Sequence, residues 1–177
     1  MKKRTRAREL ALQFLYQLDL RGPELLGEAA QFLRAEETDK TTREFAAALV
    51  NGVAEHQEDL DKEIRSVAQN WEITRMAVID RNVLRIATFE LLHCPDIPPK
   101  VAINEAIELG KRYSTQNSGA FINGILDKIM NRKPSAAADT AALPLSSGEG
   151  AGEGAGEAQP VGEEPSTAAS TETSNEG

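Results

Sequence analysis

Apolar residues recur every three or four positions from Leu10 to Ile129, the spacing that gathers them on one face of an α-helix. Leu10, Ala11, Phe14, Leu15 and Leu18 define the first such face, and Arg21-Gly22-Pro23 supplies its stop signal. Leu25, Leu26, Ala29, Phe32 and Leu33 predict a second helix, closed by the polar run at 36–40. Thr41 and Glu44 have the T-x-x-E spacing of a capping box, so a third helix is expected there, carrying Phe45, Leu49, Val50 and Val53. Polar residues then thicken, which predicts a seam around 56–74 and a shorter helix holding Leu60, Ile64, Val67 and Ala68. Residues 74–92 resume the period through Ile79, Val83, Leu84, Ala87 and Leu91, until Asp96-Ile97-Pro98-Pro99 breaks it. Ala102, Ile103, Ala106, Ile107 and Leu109 follow. Ser118 is placed to cap a last helix with Phe121, Ile122, Ile125, Leu126 and Ile129, in which Gly124 is expected to mark a close helix–helix contact.

No segment alternates with period two, and no hairpin turn separates apolar runs. The expected architecture is therefore an all-α bundle of about six or seven helices, without internal repeats.

Charge changes the picture through its position. The net charge is −8, which by itself argues against nucleic acid as a partner. All 20 Lys and Arg lie within 2–133, however, and 20 of the 28 Asp and Glu share that stretch. The body is neutral, and the whole excess of acid belongs to 134–177. That tail is built from Gly, Ala, Glu, Ser and Thr, with no Lys, Arg, aromatic, Ile or Met. It has too little apolar surface to offset the entropy of ordering, so 1–133 is read as the domain and 134–177 as a disordered acidic tail.

Several chemistries are excluded on their residue requirements. His56, His93 and Cys94 are too few for a metal site. No Walker loop, GxGxxG or GxSxG occurs, and no carboxylate pair stands out, so neither an enzyme nor a cofactor is expected. One cysteine suits a reducing compartment. The basic start is followed by no unbroken apolar core, and no run approaches a membrane span, so the expected location is the cytoplasm.

The N-terminus carries positive chemistry. Lys2, Lys3, Arg4, Arg6 and Arg8 place five cations in seven residues with no acid among them. Cations there oppose the helix macrodipole. Electrostatics leaves polyanion binding and a merely solvated helix start equally open.

Three blocks go further. RTRARELALQFLYQLDL, DRNVLRIATFELL and IPPKVAINEAIELGKRYSTQNSGAFINGILDKI together resemble the NusB transcription antitermination family, in the family's order and across the whole body. The resemblance implies a compact helical fold of two small subdomains. It implies binding to boxA RNA of ribosomal RNA transcripts together with the ribosomal protein that acts as NusE, joining RNA polymerase and other Nus factors to prevent premature termination. The family's arginine-rich first helix falls on Arg4, Arg6 and Arg8, its LY aromatic on Tyr16, and its later RNA-side positions on Tyr113, Gln116, Asn117, Ser118 and Phe121. Aromatic faces and amides of these kinds read single-stranded RNA, although Phe121 equally suits the core. The family's acidic NusE-facing position falls on Asp80, for which pairing with Arg81 or Arg85 is an equal alternative. Asn117 stands where relatives often have an acid, and Thr5 where they often have a further base.

A helical protein-interaction scaffold with incidental RNA contact is the alternative function, which the clustered N-terminal Arg disfavours. A fused RNA cytosine methyltransferase is set aside, since the 44 low-complexity residues at 134–177 cannot supply a catalytic domain.

Overall fold

The computed structural model of the protein describes residues 2–132 apart from Gln69 and Trp71. They form α1 (Lys2–Arg21), α2 (Ala29–Glu36), α3 (Lys40–Val67), α4 (Val78–His93), α5 (Pro99–Tyr113) and α6 (Ser118–Arg132), with 3-10 turns at Pro23–Glu28 and Ile73–Arg75. No strand occurs among the described residues. The chain separates into two units, Met1–Ala141 and Ala142–Gly177. The tail expected from residue 134 and the boundary before it lie outside the described residues.

The apolar stripe of α1 is buried as its spacing requires, from Ala7 and Leu10 through Phe14, Leu15 and Leu18. The helix stops because Gly22 adopts a φ of 106°, a left-handed backbone that glycine takes without a Cβ penalty. Its N–H still bonds the Leu18 carbonyl at 3.0 Å, and Pro23 then opens the 3-10 turn.

The third helix begins earlier than its sequence signal. Asp39, not Thr41, is the N-cap: its Oδ2 accepts the Thr42 backbone N–H at 2.8 Å and the Thr42 hydroxyl at 2.8 Å. Thr41 lies inside the first turn, and Glu44 pairs with Lys40 at 3.6 Å instead of closing a capping box. The expected seam at 56–74 starts too early as well. α3 runs unbroken for 28 residues, about 42 Å at 1.5 Å per residue. Leu60, Ile64 and Val67 continue the buried face of Val53, and Glu55, Glu58 and Asp59 face solvent, while Asp61 turns inward. The break comes only after Val67, so α4 starts at Val78 rather than near Thr74.

α1 and α3 pack together with α2 against them, α5 pairs with α6, and α4 touches α1, α3, α5 and α6. Leu15, Leu49, Leu60, Leu84, Ile86, Ile122 and Leu126 belong to one continuous buried cluster. Gly124 does not mark a close contact: a Cβ there would meet nothing within 4 Å. The close approach is at Gly52 on α3, where a Cβ would lie 2.1 Å from Cζ of Phe89 on α4. No helix among the described residues is long and apolar enough to cross a membrane.

Candidate functional site

The basic start of α1 is clasped by acids from three directions. Lys3 Nζ donates to Asp39 Oδ1 at 2.7 Å, so the residue that caps α3 also holds α1. Arg4 Nη2 reaches Asp96 Oδ2 at 3.2 Å, in the connection between α4 and α5, and its guanidinium lies 5.0 Å from the Phe45 ring centre. Arg6 lies between Glu9 at 3.5 Å and Glu37 at 3.7 Å. These cations remain substantially exposed, and such pairs contribute only about 0–1 kcal/mol each.

Arg8 is different in kind. Its side chain is 3 % exposed, and that of Glu90, its partner on α4, is 1 % exposed. Nε donates to Glu90 Oε1 and Oε2 at 2.9 and 3.2 Å, and Glu105 lies 3.7 Å away. Burial pushes the Glu90 carboxyl up, and the hydrogen bond and charge of Arg8 offset this only in part. The run that reads as one basic patch thus divides into a solvent-facing part, Lys3, Arg4 and Arg6, and a buried tie between helices.

On α5, Arg112 is 64 % exposed and hydrogen-bonds Glu9 of α1 through Nη1. Tyr113 and Glu9 both favour its charged form. Tyr113 itself is partly buried against the core. A groove of about 490 Å³ separates α1 from α5, with Glu9, Glu105, Glu108, Lys111 and Arg112 among its walls. Nothing in the local sequence marks Arg112, because its partner is 103 positions away.

A second cleft, of about 260 Å³, brings together residues that the sequence assigned to separate roles. Asp80, expected to face a protein, shares it with Asn117, Ser118 and Phe121, expected to face RNA, and with Arg75 and Met76. The Ser118 hydroxyl donates to Asp80 Oδ2 at 3.2 Å. It also receives the Thr115 backbone N–H at 3.2 Å, so it ties the loop to α4 rather than capping its own helix. Asp80 does not pair with Arg81 or Arg85. Arg81 binds Asp19 at 2.6 Å, and Arg85 bridges Asp19 at 3.1 Å and Asp61 at 2.7 Å. Gln116 and Asn117 are exposed, and Phe121 is half-buried against the core. Tyr16 is exposed but stands ten residues along α1 from Arg6, about 15 Å by the helical rise. The structure does not join it to either cluster.

His56 and His93 stack on each other with ring centres 4.3 Å apart, and Phe89 lies beside them. No group of three or more metal-ligating side chains occurs among the described residues. Burial pushes the Cys94 thiol up, and the Glu90 and Asp96 carboxylates push it further, the opposite of what a nucleophile needs.

The arrangement offers exposed guanidiniums, amides and aromatic faces, the donors and platforms that a phosphate backbone and unstacked bases engage. The model of the NusB family matches residues 5–131. The transcription antitermination protein NusB of Anaeromyxobacter dehalogenans is 49 % identical over 135 residues, covering 76 % of this chain and 94 % of that protein. Its counterpart in Trichlorobacter lovleyi is 48 % identical over 126 residues, covering 71 % and 89 %. The solved structure of T. maritima NusB superposes with a TM-score of 0.65 at 41 % identity, covering 72 % of this chain and 90 % of that one. A crystal structure of antitermination factors NusB and NusE in complex with dsRNA gives 0.64 at 30 % identity, covering 75 % and 98 %. With the family's pattern matched from the basic first helix to the end of α6, this chain belongs to the NusB family.

Proposed function

We propose that this chain is a cytoplasmic transcription antitermination factor that binds boxA RNA of ribosomal RNA transcripts together with the ribosomal protein acting as NusE, within an RNA polymerase elongation complex that holds other Nus factors. The observation that carries this reading is the Asp80–Ser118 cleft, in which the family's protein-facing acid and RNA-facing loop share one hydrogen bond. One composite surface of that kind suits two ligands bound side by side, and a related structure contains NusB, NusE and dsRNA.

Arg4 and Arg6 are the phosphate contacts in this reading, with Tyr16, Tyr113 and Phe121 offering rings and Gln116 and Asn117 offering polar groups to bases, while Ser118, expected among them, is buried and fixes the loop to Asp80. Arg8 holds α1 in place beneath them. Because Arg8 is buried, replacing it would confound binding with folding, so the test is Arg4→Ala with Arg6→Ala. RNA affinity falls in this variant, and the salt dependence of log K becomes shallower by about 0.7 for each single-strand phosphate that is no longer neutralised. Addition of NusE tightens RNA binding by the wild type, and Asp80→Lys weakens the NusE step by reversing a charge at the rim. Unchanged RNA affinity in the double variant refutes the RNA reading and leaves the scaffold alternative.

A further inference from the structure

Glu9 is where cations from two helices meet. One of its carboxylate oxygens lies 3.5 Å from Arg6 of α1, and the other receives a hydrogen bond from Arg112 of α5. The Glu9 side chain is 11 % exposed, whereas that of Arg112 is 64 % exposed and that of Lys111 is 47 % exposed. The other acids of the groove already have partners: Glu105 receives the Thr5 hydroxyl at 3.1 Å and Glu108 pairs with Lys111 at 3.5 Å. A single carboxylate bridged by two guanidiniums imitates how a phosphate is received, since both anions match the guanidinium fork. The pair is open to solvent on its Arg112 side, so a phosphate arriving there competes with Glu9 for the guanidinium.

We propose that Arg112 is a further RNA-phosphate contact, which carries the basic face of α1 across the groove to α5, and that Glu9 masks it in the free protein. RNA then engages Arg6 and Arg112 by replacing Glu9. A phosphate held at Arg112 also brings the adjoining base within reach of Tyr113, its neighbour in sequence. The inference rests on the RNA-binding reading above, and it adds a residue from a helix that the arginine-rich start does not include.

The test is titration of the full chain with a single-stranded RNA oligonucleotide carrying the boxA sequence, at salt from about 50 to about 200 mM. Arg112→Ala weakens binding roughly 3- to 10-fold, as for one exposed charged contact, and reduces the salt slope by about 0.7. Arg112→Lys keeps most of that slope, because a point charge still attracts phosphate. Glu9→Gln tightens binding roughly 2- to 5-fold by removing the competing anion. If Arg112 only ties α5 to α1, Arg112→Ala and Glu9→Gln lower the melting temperature together and leave the salt slope unchanged, which overturns the proposal. Weaker binding by Glu9→Gln overturns the masking role. Loss of affinity in the Arg4→Ala, Arg6→Ala variant with none in Arg112→Ala refutes this inference alone. No loss in either refutes the RNA reading itself.

Discussion

Cutting the Arg8–Glu90 pair from either side should destabilise the protein unequally. Glu90→Leu leaves a guanidinium that is 3 % exposed with Glu105, 3.7 Å away, as its remaining counter-charge. Arginine cannot escape by losing its proton, so a buried charge that keeps only this more distant partner costs about 3 kcal/mol, toward the low end of the range for breaking a buried pair. Arg8→Met strands the carboxylate instead and removes the guanidinium 5.5 Å from the Phe45 ring. Glu90 can escape, because burial already pushes its carboxyl up and losing Arg8 pushes it further. Each unit of that shift is about 1.4 kcal/mol between the protonation states. The Arg8→Met deficit should therefore be smaller, about 2 kcal/mol at pH 7. It should also depend on pH. A carboxyl whose folded pKa exceeds its unfolded value binds more protons in the native state, so its contribution improves as pH falls and is lost as pH rises through the folded pKa. The Arg8→Met deficit relative to wild type should shrink between pH 7 and pH 5, whereas the Glu90→Leu deficit should not shrink, because the wild type keeps the raised carboxyl that this variant lacks. The double variant should return to within about 1–2 kcal/mol of wild type, since an apolar pair of similar volume replaces the ions. Urea unfolding of all four proteins at both pH values measures each quantity, and 1 kcal/mol corresponds to about 3–5 °C in Tm for a body of this size. A Glu90→Leu deficit below about 1 kcal/mol would refute the claim that a buried charge is at stake. A pH-independent Arg8→Met deficit would show that Glu90 is not the stranded group.

Two further outcomes follow from the packing and the ion pairs. Gly52→Ala should destabilise by about 1–3 kcal/mol despite alanine's better helix propensity, because its Cβ would fall 2.1 Å from Phe89; adding Phe89→Leu should recover part of the loss in denaturant unfolding, and a stable single variant would refute the close approach. Burial alone would raise the Asp19 carboxyl, but hydrogen bonds from Arg81 and Asn82 and the charge of Arg85 outweigh it and hold it below its ordinary value. Its stabilisation is therefore present above the unfolded pKa and lost as pH falls through the folded one. The stability gap between wild type and Asp19→Asn should be constant near neutrality and close below about pH 4, and a gap that widens in acid would contradict the sign.

Helix periodicity was legible because a buried stripe is a local consequence of 3.6 residues per turn: α1, α5 and α6 lie where their apolar spacing put them. Breaks that depend on backbone chemistry, Gly22-Pro23 and Pro98-Pro99, were equally readable. The start of α3 was not, since Asp39 and Thr41 are both acceptable caps and only the packed chain selects one. The seam was misplaced because a polar run such as 55–59 looks alike in a loop and on the outer face of a long helix.

Family membership could be recognised from the residue blocks, but the state of each charge could not. Arg6 and Arg8 sit two positions apart in one basic run, yet one is partly exposed and the other sealed against Glu90, 82 positions away. Arg112 and Glu9 meet across 103 positions, and Asp80 and Ser118 across 38. The sequence by itself determined which residues are charged, which faces are apolar and therefore that the chain folds as a helical bundle. Only the tertiary structure decided which cation meets which acid, because that depends on how whole helices pack, and a guanidinium's solvation is set by what lands on top of it.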